Sequence, residues 1–195
     1  MKEYIKNIIY KVRRLLYPPK IPKNSDGKVL IHLGCGRINN TKFINIDAVS
    51  FPHIHYVQDI RKLSALPDDF ADLLYSSHAL EHISHLELLT TIKEWVRVIK
   101  KGGTIRLSVP DFDKILEMYQ VSGNDIKSIK DPLMGGQDYA YNFHKSVFNE
   151  KYLSELLNEV GIHNIRKWDA SKNNYNFNDF ANKFKGSLNL EGEKA

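Results

Sequence analysis

The chain has 195 residues, 42% of them hydrophobic, which suits one medium-sized domain with its own core. A single cysteine excludes an internal disulfide, and no apolar run reaches the roughly 20 residues of a membrane span. Residues 1–23 carry seven cations and one acid, a net charge of +6, so the remaining residues have −1 of the total of +5. This balance argues against a basic groove for nucleic acid on the main domain. Lysines and arginines interrupt the apolar residues at the N-terminus, which therefore does not resemble a signal peptide, and we expect a cytoplasmic protein.

Residues 1–22 are predicted to form a basic amphipathic helix in front of a domain of residues 23–195. Between residues 2 and 16, isoleucines, leucines and a valine recur at helical spacing among lysines and arginines, and Pro18-Pro19 ends the helix. Two interpretations stay open. The favoured one packs the apolar stripe on the domain; the other places the helix on an anionic membrane surface.

From residue 28 onward, predicted strands and helices alternate, which is typical of an α/β layer fold. The predicted strands are residues 28–33, 43–47, 55–57, 71–77, 104–109, 165–168 and 187–190, the last of them exposed. The predicted helices are residues 86–100, 112–120 and 149–160, with loops at residues 122–146 and 171–186. Only residues 34–42 separate the first two strands, which is short for a parallel crossover, so the first helix is predicted to be short or missing.

Several of these strands end on residues suited to binding a ligand. They are Gly34-Cys35-Gly36, Asp47, Asp59, Ser76-Ser77-His78 and Asp111. The carboxyl ends of parallel strands meet at one edge of a sheet, and glycines let a backbone approach a ligand closely. We therefore expect a ligand site at this edge.

In this order, the motifs of residues 28–111 resemble those of class I S-adenosylmethionine-dependent methyltransferases. The matching stretches are Leu-Gly-Cys-Gly, the acid ending strand two, Asp-Ile after strand three, Ser-Ser-His-Ala-Leu-Glu-His after strand four and Glu-Trp-x-Arg-Val-Ile-Lys-Lys-Gly-Gly. The later Gly-Gly-Gln-Asp-Tyr, Asn-Phe-His-Lys and Ser-Leu-Asn-Leu stretches resemble bacterial methyltransferases associated with surface-polysaccharide clusters. The resemblance implies a Rossmann-like, seven-stranded, mostly parallel sheet with an antiparallel last strand. It also implies methyl transfer from S-adenosylmethionine to a small hydroxyl or amino acceptor, such as a sugar or glycan precursor.

The resemblance and the chemistry of the cofactor together suggest which residues bind it. Asp47 is placed to accept hydrogen bonds from the two ribose hydroxyls. By resemblance, Asp59 and Ile60 border the adenine, and Ser76, Ser77 and His78 line the sulfonium side. The predicted cofactor-binding residues are Leu33, Gly34, Cys35, Gly36, Asp47, Ala48, Asp59, Ile60, Ser76, Ser77 and His78. His32 stands where the family often has an acid, and the third glycine is absent.

Two other ligand classes fit the same motifs less well. A dinucleotide fingerprint needs G-x-G-x-x-G opening a helix and an acid about 20 residues on, but Asp47 follows Gly36 by only 11 residues. Residues 78–82 match the H-x-x-E-H pattern of zinc peptidases, which requires one continuous helix and a distant third ligand. Because His78 comes directly after a strand, we expect no metal here, and we expect Glu81 and His82 to brace the loop by hydrogen bonds.

Methyl transfer to a hydroxyl needs alignment and a group that removes a proton, for which histidine is suited. The candidate catalytic residues are His78 and His144, with Asp111 as an orienting group or alternative base. Tyr139, Tyr141 and Phe143 would shape an acceptor pocket beneath a mobile loop, although core packing explains these aromatic residues equally well. The alternative function is a non-catalytic S-adenosylmethionine- or nucleotide-binding scaffold whose N-terminal helix and loop 122–146 bind a partner.

Overall fold

Seven strands form the central sheet of the protein. The structure is a computed structural model that describes residues 2–172, 175 and 177–195, without the side chains of residues 2–7. The strands are β1 (Leu30–Leu33), β2 (Ile44–Asp47), β3 (Tyr56–Val57), β4 (Ala71–Ser77), β5 (Ile99–Pro110), β6 (Ile162–Lys167) and β7 (Ser187–Lys194). The α-helices are α1 (Lys2–Leu16), α2 (Leu88–Val98), α3 (Phe112–Val121), α4 (Lys130–Met134), α5 (Glu150–Glu159) and α6 (Phe180–Lys183).

The strand order is β3-β2-β1-β4-β5-β7-β6, with β1 to β5 parallel and β7 antiparallel to both of its neighbours. The predicted mostly parallel sheet is confirmed, and no helix lies between β1 and β2. The prediction that β7 is an exposed strand is wrong. Leu188 and Leu190 are 2% and 1% exposed, because β7 pairs with β5 on one side and with β6 on the other.

The two faces of the sheet have different cores because successive residues of a strand point to opposite faces. On one face, Leu74 belongs to a large aliphatic cluster with Trp95 of α2. On the other, Tyr75 packs with Phe43 and Phe177 in a smaller, mostly aromatic cluster. His32 is buried among these rings, and its burial lowers its pKa to about 3. His32 is therefore a neutral core residue.

The two predicted long loops contain short helices. Residues 122–146 include a 3-10 turn at Ile126–Ser128 and the helix α4, and residues 171–186 include α6. Asp125 and Asp179 cap the 3-10 turn and α6 by accepting backbone N–H bonds from Lys127 and Ala181. These units are too short to produce a detectable apolar period. Residues 173, 174 and 176 of the second predicted loop lie outside the described residues.

Helix α1 contacts the domain through Arg14 and Tyr10. The Arg14 guanidinium donates to the carbonyls of Ile54 and His55, both at 2.7 Å, and the rings of Tyr10 and Phe51 lie 6.0 Å apart. The apolar side chains described for this helix are exposed by 45% or more: Ile8, Ile9, Val12, Leu15 and Leu16. The favoured interpretation, in which the apolar stripe packs on the domain, is therefore wrong for these side chains. Instead, the carbonyls of Ile54 and His55, just before β3, accept hydrogen bonds from Arg14.

Gly34 is expected to be essential for stability. Gly27, which also has a positive φ, serves as the matched control because its replacement should cost much less. Both have positive φ, which costs an L-residue roughly 1–2 kcal/mol. A Cβ on Gly34 would also lie 2.5 Å from the Cβ of Ala79, while one on Gly27 meets no atom within 4 Å. We expect Gly34→Ala to lower the free energy of unfolding by about 3 kcal/mol or more, and Gly27→Ala by about 1 kcal/mol, in urea titrations. Equal losses in the two variants would contradict this packing.

Candidate active site

The loop after β1 and the acid at the end of β2 form one unit. Asp47 accepts the backbone N–H of Gly36 at 2.8 Å through Oδ2 and that of Val49 at 2.7 Å through Oδ1. Gly34 N–H in turn donates to the Ile46 carbonyl at 2.9 Å. Burial raises the pKa of Asp47, although the two backbone bonds act against it. The aspartate thus fixes the glycine loop while each carboxylate oxygen keeps a free lone pair.

Other residues of this loop face the protein interior. Leu33 is fully buried in the core. Cys35 is also buried, and burial raises the pKa of its thiol well above the ordinary value, so it is an inert small residue. A Cβ on Gly36 would meet no atom within 4 Å, so the space beside this residue is open.

Asp59 follows β3 and is held by Arg61. Both carboxylate oxygens accept guanidinium N–H groups, the shortest contact being 2.6 Å, and Arg61 also pairs with Glu87 at 2.9 Å. The hydrogen bond to Arg61 holds the pKa of Asp59 below its ordinary value. The neighbouring Ile60 lies against Gly34 and its carbonyl accepts Trp95 Nε1–H at 2.7 Å. The adenine-side pair predicted from sequence is thus anchored to α2 by Trp95.

Within the part of the chain that the structure describes, the carboxyl ends of β4 and β5 carry buried serine hydroxyls that have no hydrogen-bond partner. Ser76 and Ser108 are 1% exposed, and the Oγ of each has no hydrogen-bond partner among the described residues. Ser77 and Ser108 lie opposite each other in the β4–β5 ladder. Buried polar groups are normally hydrogen-bonded, so unpaired hydroxyls at a strand end indicate a position for a ligand or a water molecule.

His78 occupies a strained position directly after β4. Its φ of 50° lies in the left-handed region, which costs of the order of 1–3 kcal/mol and is common at functional sites. Its backbone N–H donates to the Ser108 carbonyl at 2.9 Å. On its ring, Nε2 lies 2.9 Å from Ser187 Oγ and Nδ1 lies 3.2 Å from Glu81 Oε1. His78 is thus fixed at both ring nitrogens.

His144 is brought to the same place by the loop that follows α4. The Gly-Gly and Asn-Phe-His stretches pack on each other, since a Cβ on Gly135 would lie 2.5 Å from the Asn142 carbonyl oxygen. His144 N–H donates to the Met134 carbonyl, and its ring Nδ1 contacts the Pro132 carbonyl at 3.0 Å. Burial lowers the pKa of His144, with the charge of Glu81 acting against it. Nδ1 of the ring is thus held by a backbone carbonyl, and Nε2 faces Glu81 Oε1 at 4.0 Å.

Glu81 connects the two histidines predicted to be catalytic. It is 1% exposed, and its Oε1 lies 3.2 Å from His78 Nδ1 and 4.0 Å from His144 Nε2. Burial acts to raise the pKa of Glu81, but the contact with His78 and the charges of His82 and His144 outweigh it, and the pKa lies below the ordinary value. The expected brace exists through the backbone: the Glu81 carbonyl accepts the N–H groups of Lys145 and Ser146. The contact between Glu81 and His144 joins residues 63 positions apart, and no motif in the sequence predicts it.

Asp111 takes part in local structure. It is the N-cap of α3, accepting the Asp113 N–H at 3.1 Å, and burial raises its pKa. Its own N–H donates to the Gly186 carbonyl at 2.8 Å. These contacts explain the residue as a helix cap, and its catalytic role stays a prediction.

The aromatic residues of the loop are exposed. Tyr139, Tyr141 and Phe143 are 55%, 57% and 41% exposed, so core packing does not explain them. Burial raises the pKa of Tyr139, and the charge of Asp47 adds to the effect, which places this tyrosine on the Asp47 side of the loop.

A cavity of about 310 Å³ adjoins the back of the glycine loop. Its lining is Pro19, Lys20, Asn39, Thr41, Pro52, His53 and His55. His53 contacts the Gly36 carbonyl at 3.1 Å, but none of the predicted cofactor-binding residues lines the cavity.

Comparisons with known proteins bear on the fold. Residues 38–107 match the family model described as a methyltransferase domain. No protein of curated function matches the chain. A SAM-dependent methyltransferase from Archaeoglobus fulgidus is 15% identical, with a TM-score of 0.55 over 96% of this chain and 94% of that one. One from Thermotoga maritima, described as a possible histamine N-methyltransferase, is 13% identical, with a TM-score of 0.57 over 97% and 89%. The fold is that of the SAM-dependent methyltransferases.

A third similar structure has a protein partner. It comes from the complex of the Haloferax volcanii Trm112 methyltransferase activator with a methyltransferase, is 13% identical and has a TM-score of 0.55. The alignment covers 98% of this chain and 91% of that one.

The edge of the sheet where β1, β2 and β4 end fits S-adenosylmethionine, the cofactor of proteins with this fold. Asp47 has free acceptor positions for ribose hydroxyls, and the space beside Gly36 is open. Ser76 supplies a buried hydroxyl without a partner among the residues described here. Residues that hold such a cofactor would therefore be Asp47, the glycine loop and the serines at the end of β4.

Proposed function

We propose that the protein is an S-adenosylmethionine-dependent methyltransferase acting on a small hydroxyl or amino acceptor, with a sugar or glycan precursor as the specific candidate. One observation carries this proposal: His78 and His144, from distant loops, meet at Glu81 on the sheet edge that also holds Asp47 and the glycine loop. A sheet edge with Asp47 and the glycine loop alone could bind the cofactor. Without the two histidines and Glu81 it would lack a means of activating an acceptor.

The bound cofactor would supply an electrophilic methyl group on its sulfonium sulfur. Asp47 would bind the ribose hydroxyls through charge-assisted hydrogen bonds, and Gly36 would allow close backbone approach. The cluster at Glu81 would activate the acceptor, since His144 keeps a free Nε2 while its Nδ1 is fixed by the Pro132 carbonyl. Most of the remaining rate enhancement would come from alignment of donor and acceptor.

The proposal is tested by methyl transfer from S-adenosylmethionine labelled in its methyl group. The purified chain is incubated with a panel of monosaccharides, nucleotide sugars and small amines, and product is followed by mass spectrometry. We expect a methylated acceptor and an equal amount of S-adenosylhomocysteine. Cofactor binding without any methylated product would favour the scaffold function instead.

Cofactor binding is expected to weaken as the pH falls. The weakening should begin at a higher pH than it would if Asp47 had the pKa of an ordinary aspartate. Binding requires the ionised carboxylate of Asp47, and burial raises the pKa of that group above 3.8. Affinity should therefore be constant near pH 7 and fall as the pH drops through this raised pKa, as measured by calorimetric titrations between pH 4 and 7. The pH dependence should disappear in Asp47→Asn, and a wild-type affinity unchanged down to pH 4 would contradict the role of Asp47.

We also propose that α1 attaches the protein to anionic membranes. Its described apolar side chains are exposed, and the cations Lys11 and Arg13 are exposed as well. None of the helices among residues 2–172 and 177–195 is long and apolar enough to cross a membrane. Attachment would therefore be peripheral.

Vesicle sedimentation tests this attachment. We expect the chain to sediment with vesicles containing phosphatidylglycerol, less so in high salt, and not with pure phosphatidylcholine. The double variant Leu15→Glu/Leu16→Glu should lose the interaction, whereas Val121→Glu, an equally exposed position on α3, should keep it. Equal binding of the double variant and the control would contradict the proposal.

A further inference from the structure

Glu81, His82 and His144 form a cluster of groups that could each bind a metal ion. One ligand atom from each residue lies within 4.8 Å of the other two. Glu81 is 1% exposed, and neither of its carboxylate oxygens has a hydrogen-bond donor among the residues that the structure describes. The rings of His82 and His144 lie 5.0 Å apart, and His144 Nε2 lies 4.0 Å from Glu81 Oε1.

Backbone carbonyls determine which ring nitrogen is free on both histidines. His82 Nδ1 lies 3.1 Å from the Phe143 carbonyl oxygen, and His144 Nδ1 lies 3.0 Å from that of Pro132. A carbonyl only accepts hydrogen bonds, so Nδ1 carries the proton in each neutral ring and Nε2 keeps its lone pair. Metal-binding histidines in proteins are usually held in this way, with the second nitrogen donating to a carbonyl or carboxylate.

His78 adds a further ring nitrogen on the other side of Glu81. The Ser187 hydroxyl donates to the Phe180 carbonyl at 2.9 Å, so His78 Nε2–H is the donor in the 2.9 Å contact with Ser187 Oγ. His78 Nδ1 lies 3.2 Å from Glu81 Oε1, and it donates to this oxygen when it carries a proton and presents a lone pair when it does not. A buried carboxylate is costly unless a cation lies beside it, and either an imidazolium or a bound metal ion would meet this need at Glu81.

We propose that Glu81, His82 and His144 bind a divalent transition-metal ion, with Zn²⁺ as the best match. Two imidazole nitrogens and one carboxylate suit this ion better than Mg²⁺ or Ca²⁺, which prefer oxygen ligands. This revises the expectation that the H-x-x-E-H pattern holds no metal. The third ligand, His144, comes from the loop after α4, so the H-x-x-E-H pattern by itself does not predict it.

The catalytic part of this inference rests on the proposed function. Three protein ligands leave one position of a tetrahedral ion open, and the oxygen of an acceptor hydroxyl would fit there. The hydroxyl proton would pass to solvent, the oxygen would bond to the methyl carbon, and the electrons of the carbon–sulfur bond would return to sulfur. No oxidant or reductant is needed.

Calorimetric titration of the untagged full chain with ZnCl₂, after removal of metals with EDTA, tests the site. We expect one Zn²⁺ per chain, and at least tenfold weaker binding of Mg²⁺. Glu81→Gln, which keeps the size of the side chain, and His144→Ala should each weaken Zn²⁺ binding at least 100-fold. His85→Ala, an exposed histidine on the same segment, should bind as the wild type does.

Absence of Zn²⁺ binding by the wild type, or unchanged binding in both cluster variants, would overturn the metal site. Titration of the same metal-free proteins with S-adenosylmethionine separates this result from the proposed function and shows whether each variant is folded. A chain that binds the cofactor but no Zn²⁺ disproves only the metal site. A chain that binds Zn²⁺ but not the cofactor disproves only the proposed function.

Discussion

Replacement of Asp47 by alanine is expected to abolish detectable binding of S-adenosylmethionine. The variant removes the only carboxylate predicted to face the ribose, and each charge-assisted hydrogen bond contributes about 1.5–3 kcal/mol. It also leaves the N–H groups of Gly36 and Val49 without their acceptor, which would loosen the loop that the cofactor approaches. Calorimetric titration up to millimolar cofactor measures the loss.

Two further variants separate loss of charge from loss of loop structure. Asp47→Asn keeps one acceptor oxygen for the loop and removes the negative charge, so we expect binding at least tenfold weaker than in the wild type. Asp26→Asn, at an exposed aspartate that also accepts a backbone N–H, should leave binding unchanged. If Asp47→Ala folds and binds the cofactor as the wild type does, the cofactor does not lie at this edge in the way we describe.

The second large effect is expected for His144→Ala, which should lower turnover by about 10²- to 10⁴-fold. His144 is the histidine of the cluster whose Nε2 faces Glu81 while its Nδ1 is fixed by a backbone carbonyl. Its loss removes the group that activates the acceptor but leaves Asp47 and the glycine loop intact. The affinity for S-adenosylmethionine should therefore change less than tenfold.

Production of S-adenosylhomocysteine at saturating cofactor measures this effect, with the acceptor found in the panel described above. His85→Ala serves as the control for removal of a nearby histidine. A His144→Ala protein with wild-type turnover would exclude this residue from the reaction and would move attention to His78 or Asp111.

The fold was largely predictable because its signals are local. Continuous apolar runs indicated β1, β2 and β4, and the short interval between Gly36 and Phe43 indicated the missing helix. The position of β7 inside the sheet was not predictable from its own sequence, since alternation in Leu188 and Leu190 is also typical of an exposed strand. Its burial depends on pairing with both β5 and β6.

Most residues of the candidate site could be predicted from the sequence, but the contacts between them could not. The motifs identified His78 and His144, but Glu81 was interpreted only as a brace, because a single sequence does not reveal that residue 144 returns to residue 81. The pair Gly135-Gly136 is a sequence signal for this contact, since paired glycines indicate close backbone packing. In the structure Gly135 packs against the Asn142 carbonyl, and this contact bends the loop so that His144 comes back to Glu81. For α1, the amphipathic pattern correctly predicted a helix. The apolar side chains described for it are exposed, however, while Arg14 makes the hydrogen bonds to the domain, which the apolar pattern does not indicate.

The most direct test of the account is a calorimetric titration of the purified chain with S-adenosylmethionine, run beside one with NAD. We expect one cofactor molecule per chain with a dissociation constant of about 100 µM or tighter, and no binding of NAD. Failure to bind S-adenosylmethionine at millimolar concentration, or saturable binding of NAD in its place, would contradict it.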